Sequence, residues 1–238
     1  MRQPPTAFEA RLSEIFSSLQ GEGTHMGERH LFIRFEECNI HCRYCDELDK
    51  PARAYSLDEV MHTARQVEKD EGPHSYVSLT GGEPLLYLNF LSPLLLRLKA
   101  EGFQTYLETS GILWRALESV IGWCDVIAMD LKPSSVTKEK SFEEEHRRFL
   151  EIAKSKEVFI KMVLSKEIDV CEFENLIRLV KEISSQTPVI LQPVSGIGQE
   201  GHDDPELMHL LYELQRIASR MIPNVRITPR LHRILRVR

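Results

Sequence analysis

Cys38-Asn39-Ile40-His41-Cys42-Arg43-Tyr44-Cys45 decides how the rest of the chain is read. Its cysteines stand in a Cys-x3-Cys-x2-Cys spacing just after Leu31-Phe32-Ile33-Arg34-Phe35, an apolar run that reads as a β-strand. The cysteines therefore sit on a loop at the strand's C-terminal end. Three thiolates this close converge on one metal centre, and soft sulfur ligands select zinc, copper(I) or an iron–sulfur cluster. The number of cysteines is informative. A closed structural zinc site takes four protein ligands, whereas a four-iron cluster held by three cysteines leaves one iron open to another ligand.

Outward from that loop, strands and helices alternate. Ser56-Leu57-Asp58-Glu59 has the form of a capping box and opens a helix to about Asp70, stopped by Gly72-Pro73. Ser92-Pro93 reads as a helix start with proline at the first helical position, and Ser141-x-x-Glu144 as a second capping box. Asp169-x-x-Glu172 and Asp204-Pro205 begin the later helices. Tyr76 to Thr80, Phe103 to Thr109, Asp125 to Leu131, Val158 to Leu164, Pro188 to Pro193 and Val225 to Ile227 read as strands. Glu14 to Gly23 reads as an apolar stretch running into a glycine-bracketed turn, and Pro51 to Tyr55 as a connector. This order is that of an α/β protein whose parallel sheet is wound by right-handed crossovers, and it predicts a partial, open β/α barrel of about six strands. No repeat, low-complexity tract or Ser/Gly-rich linker divides the chain, so residues 1–238 are expected to form a single domain.

Composition narrows the function classes. A formal net charge of −6 argues against a surface that coats nucleic acid. No apolar run approaches the ~20 residues that span a bilayer, and Met1 to Ala10 lacks a secretory pattern. Five cysteines, three of them clustered, do not make a disulfide framework. Cys124 and Cys171 read as small buried hydrophobes, His25, His30 and His41 as surface histidines, and a reducing cytoplasm is the expected location.

The motifs share one topological fact. The cysteine loop, Gly81-Gly82-Glu83-Pro84, Glu108-Thr109-Ser110-Gly111, Lys132-Pro133-Ser134-Ser135 and Gln192-Pro193 all follow strands. Parallel α/β proteins bind ligands outside the C-terminal ends of their strands, so these loops are expected to build one site.

The Cys-x3-Cys-x2-Cys loop, with Tyr44 before Cys45 and Gly81-Gly82-Glu83-Pro84 behind it, resembles the signature of the radical S-adenosylmethionine enzymes. The resemblance implies a 4Fe-4S cluster on Cys38, Cys42 and Cys45 whose open iron chelates S-adenosylmethionine. It also implies reductive cleavage of that cofactor to a 5′-deoxyadenosyl radical that abstracts hydrogen. Tyr44, Gly81, Gly82, Glu83, Glu108, Thr109, Ser110, Ser134 and Gln192 then fall where the family surrounds the cofactor. Glu108 also reads as a surface carboxylate, and Ser134 and Gln192 as turn residues.

A narrower resemblance, to the 7-carboxy-7-deazaguanine synthases, runs the length of the chain. Glu14-Ile15-Phe16-x-x-Leu19-Gln20-Gly21-Glu22-Gly23, Phe32-x-Arg34, Lys132-Pro133-Ser134-Ser135 and the tail Pro229-Arg230-Leu231-His232 carry it. It implies a lyase of deazapurine and queuosine biosynthesis that converts 6-carboxy-5,6,7,8-tetrahydropterin to 7-carboxy-7-deazaguanine with loss of ammonia, assisted by magnesium. A homodimer and a flavodoxin- or ferredoxin-type electron donor are expected. Leu19, Gln20, Gly21, Glu22, Gly23 and Arg34 become the substrate-binding set. Gln20 offers a donor and an acceptor to a pterin edge, Glu22 accepts from ring amino or amide groups, and Arg34 forks onto the substrate carboxylate. Each also has a plain reading, as a turn or surface residue. The family follows its last cysteine with Asp and then Thr or Ser; here the pair is Asp46-Glu47, and Glu47 takes the magnesium position. Glu37 stands where the family has glycine, and Arg230 where it has glutamine. A related radical enzyme acting on another pterin- or purine-like substrate, a glycyl-radical activase and a zinc-stapled binding domain stay open as alternatives.

Overall fold

The computed structural model describes residues 9–45, 50–195 and 203–237. Its strands are β1 (Glu9–Leu19), β2 (Arg29–Phe35), β3 (Arg53–Ser56), β4 (Tyr76–Gly81), β5 (Thr105–Thr109), β6 (Val126–Asp130), β7 (Glu157–Leu164), β8 (Val189–Pro193) and β9 (Val225–Ile227). They form one nine-stranded sheet in the order β3-β1-β2-β4-β5-β6-β7-β8-β9. From β2 to β9 every pairing is parallel, whereas β1 runs antiparallel to both β2 and β3. The helices that cross over between the parallel strands are α1 (Leu57–Glu71), α2 (Leu88–Ala100), α3 (Trp114–Val120), α4 (Ser134–Thr137), α5 (Glu143–Ala153), α6 (Val170–Ser184) and α7 (Pro205–Ala218), and α8 (Leu231–Leu235) closes the described chain. This is the expected open, mostly parallel β/α sheet, but with nine strands where about six were expected: seven are parallel, and β1 and β3 add an antiparallel pair at one edge. None of its helices is long and apolar enough to cross a membrane.

Several local expectations differ from what is observed. Glu9–Leu19 is a full strand, with Ala10 and Leu12 buried on one side, and its period is interrupted by a bulge between Leu12 and Glu14. Arg53–Ser56 is an edge strand rather than a connector. Pro93 lies inside α2, which starts at Leu88 behind a short 3-10 turn, because Phe90, Leu91, Leu94 and Leu95 must all reach the core. The Ser141 box does not form. Phe142 caps α5 without a side-chain bond, buried against Ile40, Cys42 and Ile112, while Glu144 accepts from Arg148. At Ser56 and Glu59 the reciprocal box is complete. Cys171 is exposed, on the outer side of α6, whereas Cys124 is buried. His30 is fully buried, not a surface residue.

Alternation along the parallel strands builds the site. Leu31, Ile33, Val77, Leu79, Leu107, Ile127, Met129, Ile160, Met162 and Leu191 belong to the core packed under the helices. The residues between them face the other way. Tyr106, Val126, Ala128, Phe159 and Ile190, joined by Tyr76, make a separate inner layer. Toward the C-terminal ends the inner face turns polar: Arg34, Thr80, Glu108, Asp130, Lys161 and Gln192 all line one cavity. Arg34 pairs in register with Thr80, and Asp130 with Lys161.

Candidate active site

The cavity at the C-terminal ends of the strands has a volume of ≈ 510 Å³. Cys38, Cys42 and Cys45 line it as free thiols. Their loop is held on a small apolar platform of Ile40, Cys42, Ile112 and Phe142. The Arg43 amide donates to Thr137 O (3.2 Å) and the Cys45 amide to Cys42 O (3.0 Å). Burial pushes the Cys38 and Cys42 thiols up, and Lys132 pulls both back. Among the described residues no three His, Cys, Asp or Glu side chains are grouped to hold one metal ion. Cysteines that each take a separate corner of a cluster have no need to meet at a point.

The Gly81-Gly82-Glu83 turn is locked to the base of this loop. The Gly82 amide donates to Phe35 O (2.8 Å) and the Glu83 amide to Glu37 O (2.6 Å). A Cβ on Gly82 would lie 2.0 Å from Glu37 O, so only glycine admits the cysteine loop this close. Glu83 itself turns away from the cavity and is fully buried. Its carboxylate accepts from the Ser110 amide (2.7 Å) and hydroxyl (2.6 Å), from Thr109 Oγ1 (2.9 Å) and from the Leu85 amide (3.1 Å). Burial raises its pKa and these bonds oppose the rise. Glu83 thereby fastens the Glu108-Thr109-Ser110 strand end to the cysteine loop.

The turn after β1 also lines the cavity. Gln20 Nε2 donates to Glu108 Oε1 (2.9 Å), Thr80 Oγ1 donates to Glu108 Oε2 (2.8 Å), and the Glu22 amide donates to Gln20 Oε1 (3.1 Å). Glu22 meets Lys161 Nζ at 2.6 Å and accepts from Gln192 Nε2 at 3.1 Å. Lys161 also faces Asp130 at 3.5 Å, and Asp130 pairs with Lys132 at 2.8 Å. The two carboxyls are driven apart. Burial would raise Glu22, but Lys161, Arg230 and His232 outweigh it and hold the carboxyl at about 2. Glu108 is raised, chiefly by burial. Burial disfavours the Lys161 and Lys132 charges, yet neighbouring carboxylates hold both ammonium groups above their usual pKa. Arg34 lies with its guanidinium 5.5 Å from the Phe16 ring, which stacks on Phe32 at 5.1 Å.

The tail covers the Gly21 turn. Leu231 N donates to Gly21 O (2.9 Å), and a Cβ on Gly21 would come within 1.8 Å of His232 Nδ1. Asp130 Oδ1 and Gln192 Oε1, both on the cavity wall, are buried polar atoms without a hydrogen-bond partner among the described residues. Beside three free thiols, such atoms suit a polar ligand seated next to a sulfur-ligated centre.

Most of the residues singled out from sequence share this cavity: Leu19, Gln20, Gly21, Glu22, Arg34, Tyr44, Gly81, Gly82, Glu108, Thr109, Ser110, Gln192 and the three cysteines. Gly23, Glu83 and Ser134 are not on its wall. Gly23 packs on the Phe159 ring, with φ +75°, and Ser134 donates its hydroxyl to Glu172 at 2.6 Å. Glu47 lies outside the described residues. Asp130 and Lys161 lie outside the motifs legible in the sequence. A lone lysine inside Val158-Phe159-Ile160-Lys161-Met162-Val163-Leu164 was the available signal, since a charge on a two-sided buried strand needs a partner.

Comparison with known proteins agrees with this geometry. Residues 32–180 match the family model described as Radical SAM superfamily. The chain is 35% identical to a protein named 7-carboxy-7-deazaguanine synthase from Geobacter sulfurreducens, covering 95% of this chain and 97% of the relative. It is 32% identical to one of the same name from Methanopyrus kandleri, covering 93% and 92%. Among solved structures, it is similar to QueE from Escherichia coli, with a TM-score of 0.62 and 21% identity over 94% of this chain and 95% of that one, a likeness of fold.

Proposed function

The chain belongs to the radical S-adenosylmethionine superfamily and, within it, to the 7-carboxy-7-deazaguanine synthases, and from that premise we propose that it converts 6-carboxy-5,6,7,8-tetrahydropterin to 7-carboxy-7-deazaguanine with release of ammonia. One observation carries the reading: the three thiols and the Gln20, Glu22 and Arg34 set line one and the same cavity.

Cys38, Cys42 and Cys45 would hold a 4Fe-4S cluster with one iron left for S-adenosylmethionine. When bound, that pair supplies a 5′-deoxyadenosyl radical able to take a hydrogen atom from the pterin. The protein's own part is placement. Gly81 and Gly82 present backbone beside the cysteine loop, and Glu83 holds Thr109 and Ser110 at the cofactor's edge. Glu108, Gln192 and Tyr44 supply polar groups around it, with Ser134 supporting the 132–135 loop from behind. Gln20 and Glu22, framed by Leu19, Gly21 and Gly23, read the pterin's amide and amino edge. Arg34 forks onto its carboxylate. Magnesium completes the set, with Glu47 as a hard oxygen ligand. A single domain, a homodimer, a flavodoxin- or ferredoxin-type electron donor and a reducing cytoplasmic setting accompany this reading.

The test is anaerobic incubation of cluster-reconstituted protein with carboxytetrahydropterin, S-adenosylmethionine, magnesium and a reductant. The expected product has the mass of 7-carboxy-7-deazaguanine. Cofactor cleavage with no deazapurine would reject the reading.

A further inference from the structure

We infer that Lys161 is the positioning residue that keeps Glu22 a charged acceptor for the pterin's pyrimidine edge. The inference rests on the substrate reading above and adds to it a residue on a different strand. A 2-amino-4-oxopyrimidine presents two adjacent N–H donors, and one carboxylate can accept both only when it is ionised. A glutamate on a water-poor wall tends to take up a proton and lose that capacity. Glu22 is 19% exposed and Lys161 16% exposed, so water alone does not sustain the charge.

The geometry supplies what water does not. Lys161 Nζ approaches Glu22 Oε2 at 2.6 Å, and Gln192 Nε2 approaches Oε1 at 3.1 Å. Each oxygen keeps a further lone pair for a ligand. Lys161 is itself steadied by Asp130 at 3.5 Å, and Asp130 by Lys132 at 2.8 Å. Charge therefore alternates along Glu22, Lys161, Asp130 and Lys132. Glu108 shows the contrast: its hydrogen-bond partners, Gln20 and Thr80, are neutral donors, and Lys161 acts on it through space without a direct bond. The titratable groups facing Glu22 are Lys161 from β7, Glu108 from β5, and Arg230 and His232 from the tail, with Tyr106 in the layer below. Lys161 is the one that touches it. Lys161 also lies in register with Asp130 on one side and Ile190 on the other, so the strand and not a loop fixes its position.

The experiment compares cluster-loaded wild type with Lys161→Met and Lys161→Arg. Carboxytetrahydropterin and S-adenosylmethionine affinities are measured by anaerobic equilibrium dialysis from about pH 6 to about pH 9, alongside kcat and KM. Lys161→Met is expected to weaken pterin binding and raise KM by about 10- to 100-fold, with binding that strengthens as pH rises. Lys161→Arg should restore affinity and a flat profile, and S-adenosylmethionine affinity should hold in both. If Lys161→Met fails to fold, Lys161→Gln carries the same comparison. Pterin binding of wild-type strength and flat pH dependence in Lys161→Met would overturn the inference while leaving the substrate reading intact. Wild-type protein that neither binds nor turns over the pterin would remove that reading, and the inference with it.

Discussion

Glu83 accepts two hydrogen bonds from Ser110, one from the amide at 2.7 Å and one from the hydroxyl at 2.6 Å, across 27 residues of chain. The contact joins the turn under the cysteine loop to the end of β5. Truncating Glu83 to alanine would leave the Ser110 amide and the Thr109 hydroxyl buried without their acceptor, and the Ser110 hydroxyl with Asn39 Oδ1 alone at 3.2 Å. Glu83→Ala is expected to cost roughly 2–4 kcal/mol of stability. It should also weaken S-adenosylmethionine binding. Chemical denaturation and a cofactor titration check both.

Gly82 has no room for a side chain, since its Cβ would strike the Glu37 carbonyl, next to Cys38. Backbone cannot yield as a flexible side chain does. Gly82→Ala should destabilise the fold by roughly 2 kcal/mol or more and lower the iron bound per chain after reconstitution. Iron analysis beside a denaturation curve distinguishes a displaced cysteine loop from general unfolding.

The three cavity cysteines and the two remote ones should separate cleanly. Alanine at Cys38, Cys42 or Cys45 is expected to abolish the brown colour and cluster absorption of the reconstituted protein. Cys171→Ser, on the exposed side of α6, should retain both. Wild-type iron content in any of the first three variants would contradict the assignment of ligands.

Acid stability should be governed first by two buried histidines. Burial lowers His30 from 6.5 to about 3 and His146 from 6.5 to about 4. Above pH 6.5 both are neutral, folded or unfolded, and contribute no pH dependence. As pH falls below 6.5 the unfolded chain takes up protons that the folded chain refuses, so stability drops until the folded groups titrate. Each histidine can contribute up to about 1.4 kcal/mol per pH unit in that window. Glu22, held at about 2, adds its own loss only below its unfolded value of 4.5. Denaturation midpoints between pH 7 and pH 5 should therefore fall in wild type and flatten in His30→Gln and His146→Gln.

The legible part of the molecule was the part written in local pattern. The cysteine spacing, the strand-to-turn motifs and the Ser56–Glu59 box each state their structure within a few residues. The unread part depended on partners far along the chain. The β1 period is broken at its bulge, so Glu9–Leu19 does not scan as a strand until β2 is seen beside it. Phe142 displaces Ser141 from the cap because the cysteine loop packs on it. Lys161 acquires meaning only from Glu22, which lies 139 residues earlier. His30 reads as polar and exposed, yet Tyr76 and Tyr106 of the inner layer pack on it at ring distances of 5.1 Å.

The central claim is that this cavity brings a pterin to a radical made on a three-cysteine cluster. Its most direct test uses carboxytetrahydropterin deuterated at C6, with reconstituted wild-type enzyme under anaerobic turnover. The account predicts 7-carboxy-7-deazaguanine together with deuterium at the 5′ carbon of the recovered cofactor or of 5′-deoxyadenosine. Unlabelled 5′-deoxyadenosine and an unchanged pterin would contradict it.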